Sequence, residues 1–200
     1  EKLDRGLIAV KSGSGYYLSW RLFGTDPQDN TFGFNVYKGS TKLNATPIVE
    51  STCYQDNSAG TGAYTVKPVT NGDEGAASEE ALVLAQNYLT IPLQNASGYH
   101  AGDASCGDLD GDGQYEIVLK EENNPVDNTS EVTTGQPKVT GYKLDGTKMW
   151  TIDIGKNIRE GAHYFKFMVY DLDGDGSAEI ACKTAPGTKD GTNNFLKLGP

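Results

Sequence analysis

Cysteine is scarce in this chain: Cys53, Cys106 and Cys182 are three among 200 residues. Their number is odd and their spacing is not of a metal-binding type, so they read as small buried thiols rather than as a disulfide framework. Positive charge is in deficit. Seventeen Lys and Arg face 27 Asp and Glu, and the net charge of −10 speaks against nucleic acid as a partner. It does not exclude an acidic ligand, because bound cations reverse the local sign. No stretch is long and apolar enough to cross a membrane as a helix, so no membrane partner is expected. The chain opens on Glu1-Lys2-Leu3-Asp4, and any signal peptide is expected to have been removed or left out. What remains is rich in Gly, at 25 residues, and in Tyr, Thr, Asn and Asp. That mixture suits short strands and tight turns. At this length one or two domains with a core of real size are expected.

Two copies of one loop organise the sequence. The first runs Asp108-Leu109-Asp110-Gly111-Asp112-Gly113-Gln114-Tyr115-Glu116, and the second Asp171-Leu172-Asp173-Gly174-Asp175-Gly176-Ser177-Ala178-Glu179. Each leads into a short apolar run ending in a lysine, Lys120 or Lys183, at the same offset. Carboxylates at positions one, three and five can aim at one centre if the backbone turns tightly around it. Glycines at four and six permit that turn, because they tolerate positive φ. The carbonyls of Gln114 and Ser177 and the carboxylates of Glu116 and Glu179 complete two sets of hard oxygen ligands, which suit calcium. An EF-hand is excluded. Position twelve is Leu119 or Cys182 rather than a bidentate Glu, and the apolar run after each loop has strand character, not helical.

Before the first loop, short runs of strand character alternate with turn signals. Leu7–Lys11, Tyr16–Leu22 (with Trp20), Phe32–Tyr37, Ala63–Val69, Ala81–Leu84 and Tyr88–Leu93 are the strand candidates; Phe32, Phe34 and Val36 alternate onto one face with Asn35 and Tyr37 on the other, and Asn71-Gly72 carries a type I′ signature. Residues 1–95 are therefore expected to form a β-sandwich, fibronectin-III-like in the order of its aromatics. A linker is expected at Asn95–Ala101 and a polar loop at Glu121–Pro137. Val139–Leu144 and Lys148–Ile154 form a hairpin about Asp145-Gly146. One carboxylate loop per roughly sixty residues, each opening a strand, fits the first blades of a calcium-binding β-propeller over residues 96–200. The expected class is all-β. Because a propeller needs at least four blades to close, the rest of it is expected in the same or another chain.

The run Asn157-Ile158-Arg159-Glu160-Gly161-Ala162-His163-Tyr164, continuing into Phe167-Met168-Val169-Tyr170-Asp171, is more distinctive than either loop. Together with Leu3-Asp4-Arg5-Gly6-Leu7, Leu18-Ser19-Trp20-Arg21, Gly24-Thr25-Asp26-Pro27 and Phe34-Asn35-Val36-Tyr37, it resembles the rhamnogalacturonan lyases of polysaccharide lyase family eleven, in order and over nearly the whole chain. The resemblance implies an N-terminal β-domain followed by an eight-bladed calcium-binding propeller. It further implies a secreted, periplasmic or cell-surface enzyme acting on the pectic polysaccharide rhamnogalacturonan-I. The implied chemistry is β-elimination at galacturonate: calcium neutralises the uronate carboxylate, a base removes the C5 proton, and the 4-linked rhamnose departs.

The calcium ligands are then expected to be Asp108, Asp110, Asp112, Gln114 and Glu116, and Asp171, Asp173, Asp175, Ser177 and Glu179, in a structural or a catalytic role. Lys120 and Lys183 end equivalent runs and are candidates to meet a uronate. Arg159 and His163 lie in the family-specific run; an Arg holds a carboxylate bidentately, and a His serves as base or ligand. Lys183, His163 and Arg159 are the candidates for catalysis. The competing reading is a non-catalytic, calcium-stabilised carbohydrate-binding or adhesion module.

Overall fold

The computed structural model describes residues 2–125, 135–161 and 163–196, and it is all-β, with no helix among the described residues. The chain divides into two compact units, one spanning Leu3–Leu89 and the other beginning at Thr90.

The first unit contains β1 (Ile8–Ser12), β2 (Gly15–Ser19), β3 (Phe32–Lys38), β4 (Thr41–Lys42), β5 (Cys53–Asp56), β6 (Tyr64–Thr70), β7 (Asp73–Glu74) and β8 (Leu82–Leu84). They form two sheets, ordered β5-β2-β1-β8 and β4-β3-β6-β7. All pairings are antiparallel except β1 with β8, which sets Ile8 opposite Leu82. The alternation in β3 works as expected. Phe32, Phe34 and Val36 are buried and share one core with Ala9, Leu18 and Val66 from neighbouring strands. Each of these Phe, Leu and Val side chains contributes about 1.5–3 kcal/mol by leaving water. Trp20 packs edge-on to Phe34, with centroids 5.4 Å apart. Asn35, on the other face of β3, is buried all the same, because its amide donates to Glu74 at 2.6 Å and accepts from Asn44 at 3.1 Å.

Two boundaries differ from expectation. β2 stops at Ser19, because the Trp20 N–H donates to the Thr52 carbonyl and the Arg21 N–H to that of Arg5. Residues 85–99 hold no strand. Pro92 has no N–H to give a ladder, and Tyr88, Leu89 and Leu93 stay exposed with no core to face. The Asn71-Gly72 turn forms as expected: φ is 52° and 94°, both positive as type I′ requires.

One buried carboxylate ties the two sheets of this unit together. Asp56, at the end of β5, accepts hydrogen bonds from Tyr64 Oη at 2.6 Å, Lys38 Nζ at 3.1 Å and the Ser58 N–H at 2.8 Å. Burial alone would raise its pKa, but the hydrogen bonds from Ser58, Tyr64 and Lys38 outweigh burial and hold it well below the usual carboxylate range. A depressed folded-state pKa stabilises above the unfolded value and loses that contribution as pH falls. Thermal midpoints followed from pH 6 to pH 2 are therefore expected to drop below about pH 4, where an unfolded Asp takes up its proton. Asp56→Asn is expected to start lower at neutral pH and fall less steeply; an unchanged slope would show that Asp56 does not drive the effect.

The second unit is a four-stranded antiparallel meander of β9 (His100–Gly107), β10 (Glu116–Glu122), β11 (Lys138–Tyr142) and β12 (Lys148–Asp153), with a two-stranded sheet of β13 (Phe167–Tyr170) and β14 (Glu179–Cys182). Val118, Val139, Ile154, Ile158 and Phe165 form its core. β9 falls largely where the linker and the approach to the first loop were expected. Its sequence lacks apolar alternation, and it is a strand because β10 supplies the ladder from Glu116↔Gly107 to Glu122↔His100. β10 in turn continues through Glu121 and Glu122, expected in the polar loop, and both are buried. The part of that loop at 126–134 lies outside the described residues. The three cysteines are unbridged, but none is buried as expected: Cys53 and Cys182 are half-buried and Cys106 is exposed on β9.

Candidate functional site

The first carboxylate loop joins β9 to β10, and the second joins β13 to β14. Both are built alike. Asp108, fully buried, accepts from the Gly111 N–H at 2.7 Å and the Asp112 N–H at 3.1 Å on Oδ1, and from the Gly113 N–H at 2.8 Å on Oδ2. Asp171 does the same for Gly174 at 2.7 Å and Gly176 at 3.2 Å. Glu116 and Glu179 close the loops by accepting the N–H of Leu109 and Leu172, each at 2.8 Å. The glycines at positions four and six all take positive φ: 75° and 91° at Gly111 and Gly113, 79° and 111° at Gly174 and Gly176. The two loops also meet, since the Ala178 N–H donates to the Asp108 carbonyl at 2.6 Å.

Asp108, Asp110 and Glu116 bring one oxygen each to within 4.8 Å of one another, and so do Asp171, Asp173 and Glu179. Each trio could hold a metal ion, and an all-oxygen donor set is the kind calcium takes. The electrostatics of the first loop fit a cation. Burial, and then the charges of Asp110 and Asp112, push the Glu116 carboxyl up, against the pull of the Leu109 N–H and Lys143. Asp112 and Asp175 stand outside the trios. Their Oδ1 atoms accept from the N–H two residues on, Gln114 at 2.9 Å and Ser177 at 2.8 Å. Gln114 is exposed and Ser177 half-buried.

The remaining candidates are dispersed. Lys120 is buried on β10, with Nζ 2.8 Å from Asp103 and 3.4 Å from Glu122. Asp103, on β9, is held below its ordinary pKa by the Lys120 hydrogen bond, against burial. It also lies 3.9 Å from the exposed Lys166. Lys183 follows β14 and is exposed, as is His163. Arg159 stacks over Tyr164, its guanidinium carbon 4.4 Å from the ring centroid. Glu160, beside it, is fully buried and accepts the N–H of Asn123 at 2.9 Å and of Asn124 at 2.7 Å, so the distinctive run pins the end of β10. Glu121 accepts from Tyr142 Oη at 2.8 Å; burial first, and then this bond, push the phenol up to about 12. Sequence reasoning missed Asp103, Glu122, Glu160 and Lys143. Asp103 becomes visible only once β9 is recognised as a strand paired with β10, and Glu122 and Glu160 only once residues 160–161 are brought to the end of β10.

Residues 88–197 match the family described as rhamnogalacturonan lyase family 11, C-terminal domain, and residues 1–84 match the rhamnogalacturonan I lyase beta-sheet domain. The chain is 51% identical over 208 residues to rhamnogalacturonan endolyase YesW of Bacillus subtilis (strain 168), covering 98% of this chain and 33% of that protein. Rhamnogalacturonan exolyase YesX of the same strain is 46% identical, with 98% and 34% covered. Among solved structures, a Bacillus licheniformis rhamnogalacturonan lyase superposes with a TM-score of 0.90 at 52% identity, covering 98% of this chain and 35% of that one. The exotype rhamnogalacturonan lyase YesX superposes with a TM-score of 0.91 at 45% identity, with 98% and 34% covered. The chain thus spans about a third of the length of these relatives. With both family matches in register along the sequence, this chain belongs to rhamnogalacturonan lyase family 11.

Proposed function

We propose that the chain is part of a secreted, periplasmic or cell-surface rhamnogalacturonan lyase. It would cleave the rhamnogalacturonan-I backbone of pectin by β-elimination at galacturonate, with calcium in both carboxylate loops. The observation that carries this reading is the family match along nearly the whole chain, joined to two carboxylate trios in equivalent loops. The domain assignment goes with it. Residues 1–95 are a fibronectin-III-like β-sandwich, and the meander from β9 to β12 is one blade of a propeller that continues beyond these residues. Two sheets sharing one core, and a four-stranded antiparallel meander, support that assignment.

In the elimination the C5–H and C4–O bonds of galacturonate break and a C4=C5 double bond forms. Bound calcium supplies positive charge where carboxylates would otherwise repel an anionic substrate. Asp108, Asp110 and Glu116, and Asp171, Asp173 and Glu179, would hold it. The ammonium of Lys120 is already compensated by Asp103 and Glu122, which makes it a positioning group within the sheet. His163 and Lys183 are exposed and free to approach a sugar acid, and either side chain can carry a proton. The guanidinium of Arg159, flattened on Tyr164, suits a uronate carboxylate.

The test is ultraviolet absorbance of rhamnogalacturonan-I treated with this chain and with the full-length gene product, in calcium and then in chelator. A calcium-dependent rise from the conjugated double bond is expected for the full-length product. No rise there would sink the lyase reading in favour of a binding module.

A further inference from the structure

The first carboxylate loop carries a partner that the loop motif does not include. Lys143 Nζ lies 2.6 Å from Asp110 Oδ2 and 3.6 Å from Asp112 Oδ2. This lysine is not a loose surface arm. It follows β11 directly, and its N–H donates to the Thr147 carbonyl at 2.9 Å across the Asp145-Gly146 turn. The turn is fastened in its own right. Gln94 Nε2 donates to the Gly146 carbonyl at 2.8 Å, and Pro92 packs so closely that a Cβ on Gly146 would sit 2.5 Å from its ring. The preceding Tyr142 is fully buried, its hydroxyl bonded to Glu121 and to the Gln94 N–H. The backbone therefore delivers the Lys143 stem to the mouth of the loop at fixed register.

We propose that Lys143 is a tethered counter-cation that competes with calcium for the first loop and sets its affinity. The proposal rests on the reading of that loop as a calcium site. With the ammonium in place, one of the three carboxylates of the trio, Asp110, is already paired, and an incoming divalent ion meets a like charge a few ångströms away. At that distance the repulsion between charges at a partly exposed site is strong enough to shift binding measurably. Removing the ammonium restores the full negative charge of Asp110 and Asp112 to the metal. The two touching loops carry eight carboxylates, and Lys143 offsets part of that charge in the first.

Calcium is titrated into nitrogen-15-labelled protein, with the amides of Gly111 and Gly113 reporting the first loop and those of Gly174 and Gly176 the second. In Lys143→Met the first-loop dissociation constant is expected to fall about tenfold while the second loop is unchanged. Lys143→Arg, which keeps the charge, is expected to bind like the parent, and Lys143→Gln repeats the Met result with a polar stem. First-loop affinity equal to or weaker than the parent's in both neutral variants would overturn the proposal. Loss of affinity would make Lys143 a support that orients Asp110. If neither loop of the parent responds to millimolar calcium, the calcium reading falls and takes this inference with it.

Discussion

Asp108→Ala is expected to open the first loop and to destabilise the second unit by about 3 kcal/mol. The side chain is fully buried, and its two oxygens serve three backbone N–H groups, those of Gly111, Asp112 and Gly113. Hydrogen bonds to a charged acceptor contribute about 1.5–3 kcal/mol each in isolation, although bonds sharing one acceptor group do not add fully. Both glycines hold positive φ, and without the carboxylate their N–H groups lose the acceptor that offsets the entropy of fixing them. The Asp108 carbonyl also accepts the Ala178 N–H, so a collapsed first loop is felt in the second. Asp171→Ala is expected to open the second loop in the same way, because its carboxylate accepts from the Gly174 and Gly176 N–H groups. Amide hydrogen exchange over residues 108–116 checks this directly, with protection of Gly111 and Gly113 expected to fall about a hundredfold. Unchanged protection would mean that the turn is held by its glycines and flanking strands alone.

The hub role of Asp108 was legible in the sequence only in part. Spacing marked the carboxylates and the turning glycines, because a tight turn is a local object and its chemistry is written in adjacent positions. Local signals also gave the Asn71-Gly72 turn, the inward face of β3 and the hairpin about Asp145-Gly146. They failed where a strand exists for non-local reasons. His100–Gly107 has no apolar alternation and becomes β9 through its ladder with β10. Glu121 and Glu122 have the composition of a solvated loop, yet both are buried, because Tyr142 and the Gly161 N–H, far along the chain, supply their hydrogen bonds. Lys143 was invisible as a neighbour of the first loop for the same reason. Only the return of β11 along β10 brings it there. The opposite error came from Tyr88–Leu93, whose apolar residues imitate a strand but have neither a ladder nor a core. Roles drawn from single residues fared differently from roles drawn from patterns. Lys120 and Lys183 occupy equivalent sequence positions, but one is buried in an ion-pair cluster and the other exposed, since β10 runs past its lysine and β14 ends before it.

Calcium is expected to raise the stability of the second unit, and chelation to remove the gain. An ion that binds only the folded loops stabilises by RT ln(1 + [L]/Kd), about 2.7 kcal/mol per site when free calcium stands at a hundred times Kd. The unfolded chain keeps the same carboxylates but not their convergence. The trios within 4.8 Å exist because Asp108 and Asp171 wind the backbone around themselves, and an unfolded loop of glycines does not. Two loops thus give roughly twice the single-site figure, while Asp173→Asn, which touches one trio only, is expected to lose about half of it. Asp173 suits the test because its carboxylate belongs to the second trio, whereas Asp171 also carries the loop backbone. The measurement is the thermal midpoint as a function of free calcium, with magnesium as the control, because magnesium dehydrates reluctantly and demands tighter octahedral geometry. A midpoint rising with the logarithm of calcium concentration, at a slope halved in Asp173→Asn, is the expected result. A midpoint indifferent to calcium and to chelator would show that the backbone N–H groups and Lys143 already neutralise these loops, and that the repeated carboxylates are turn-formers rather than ligands.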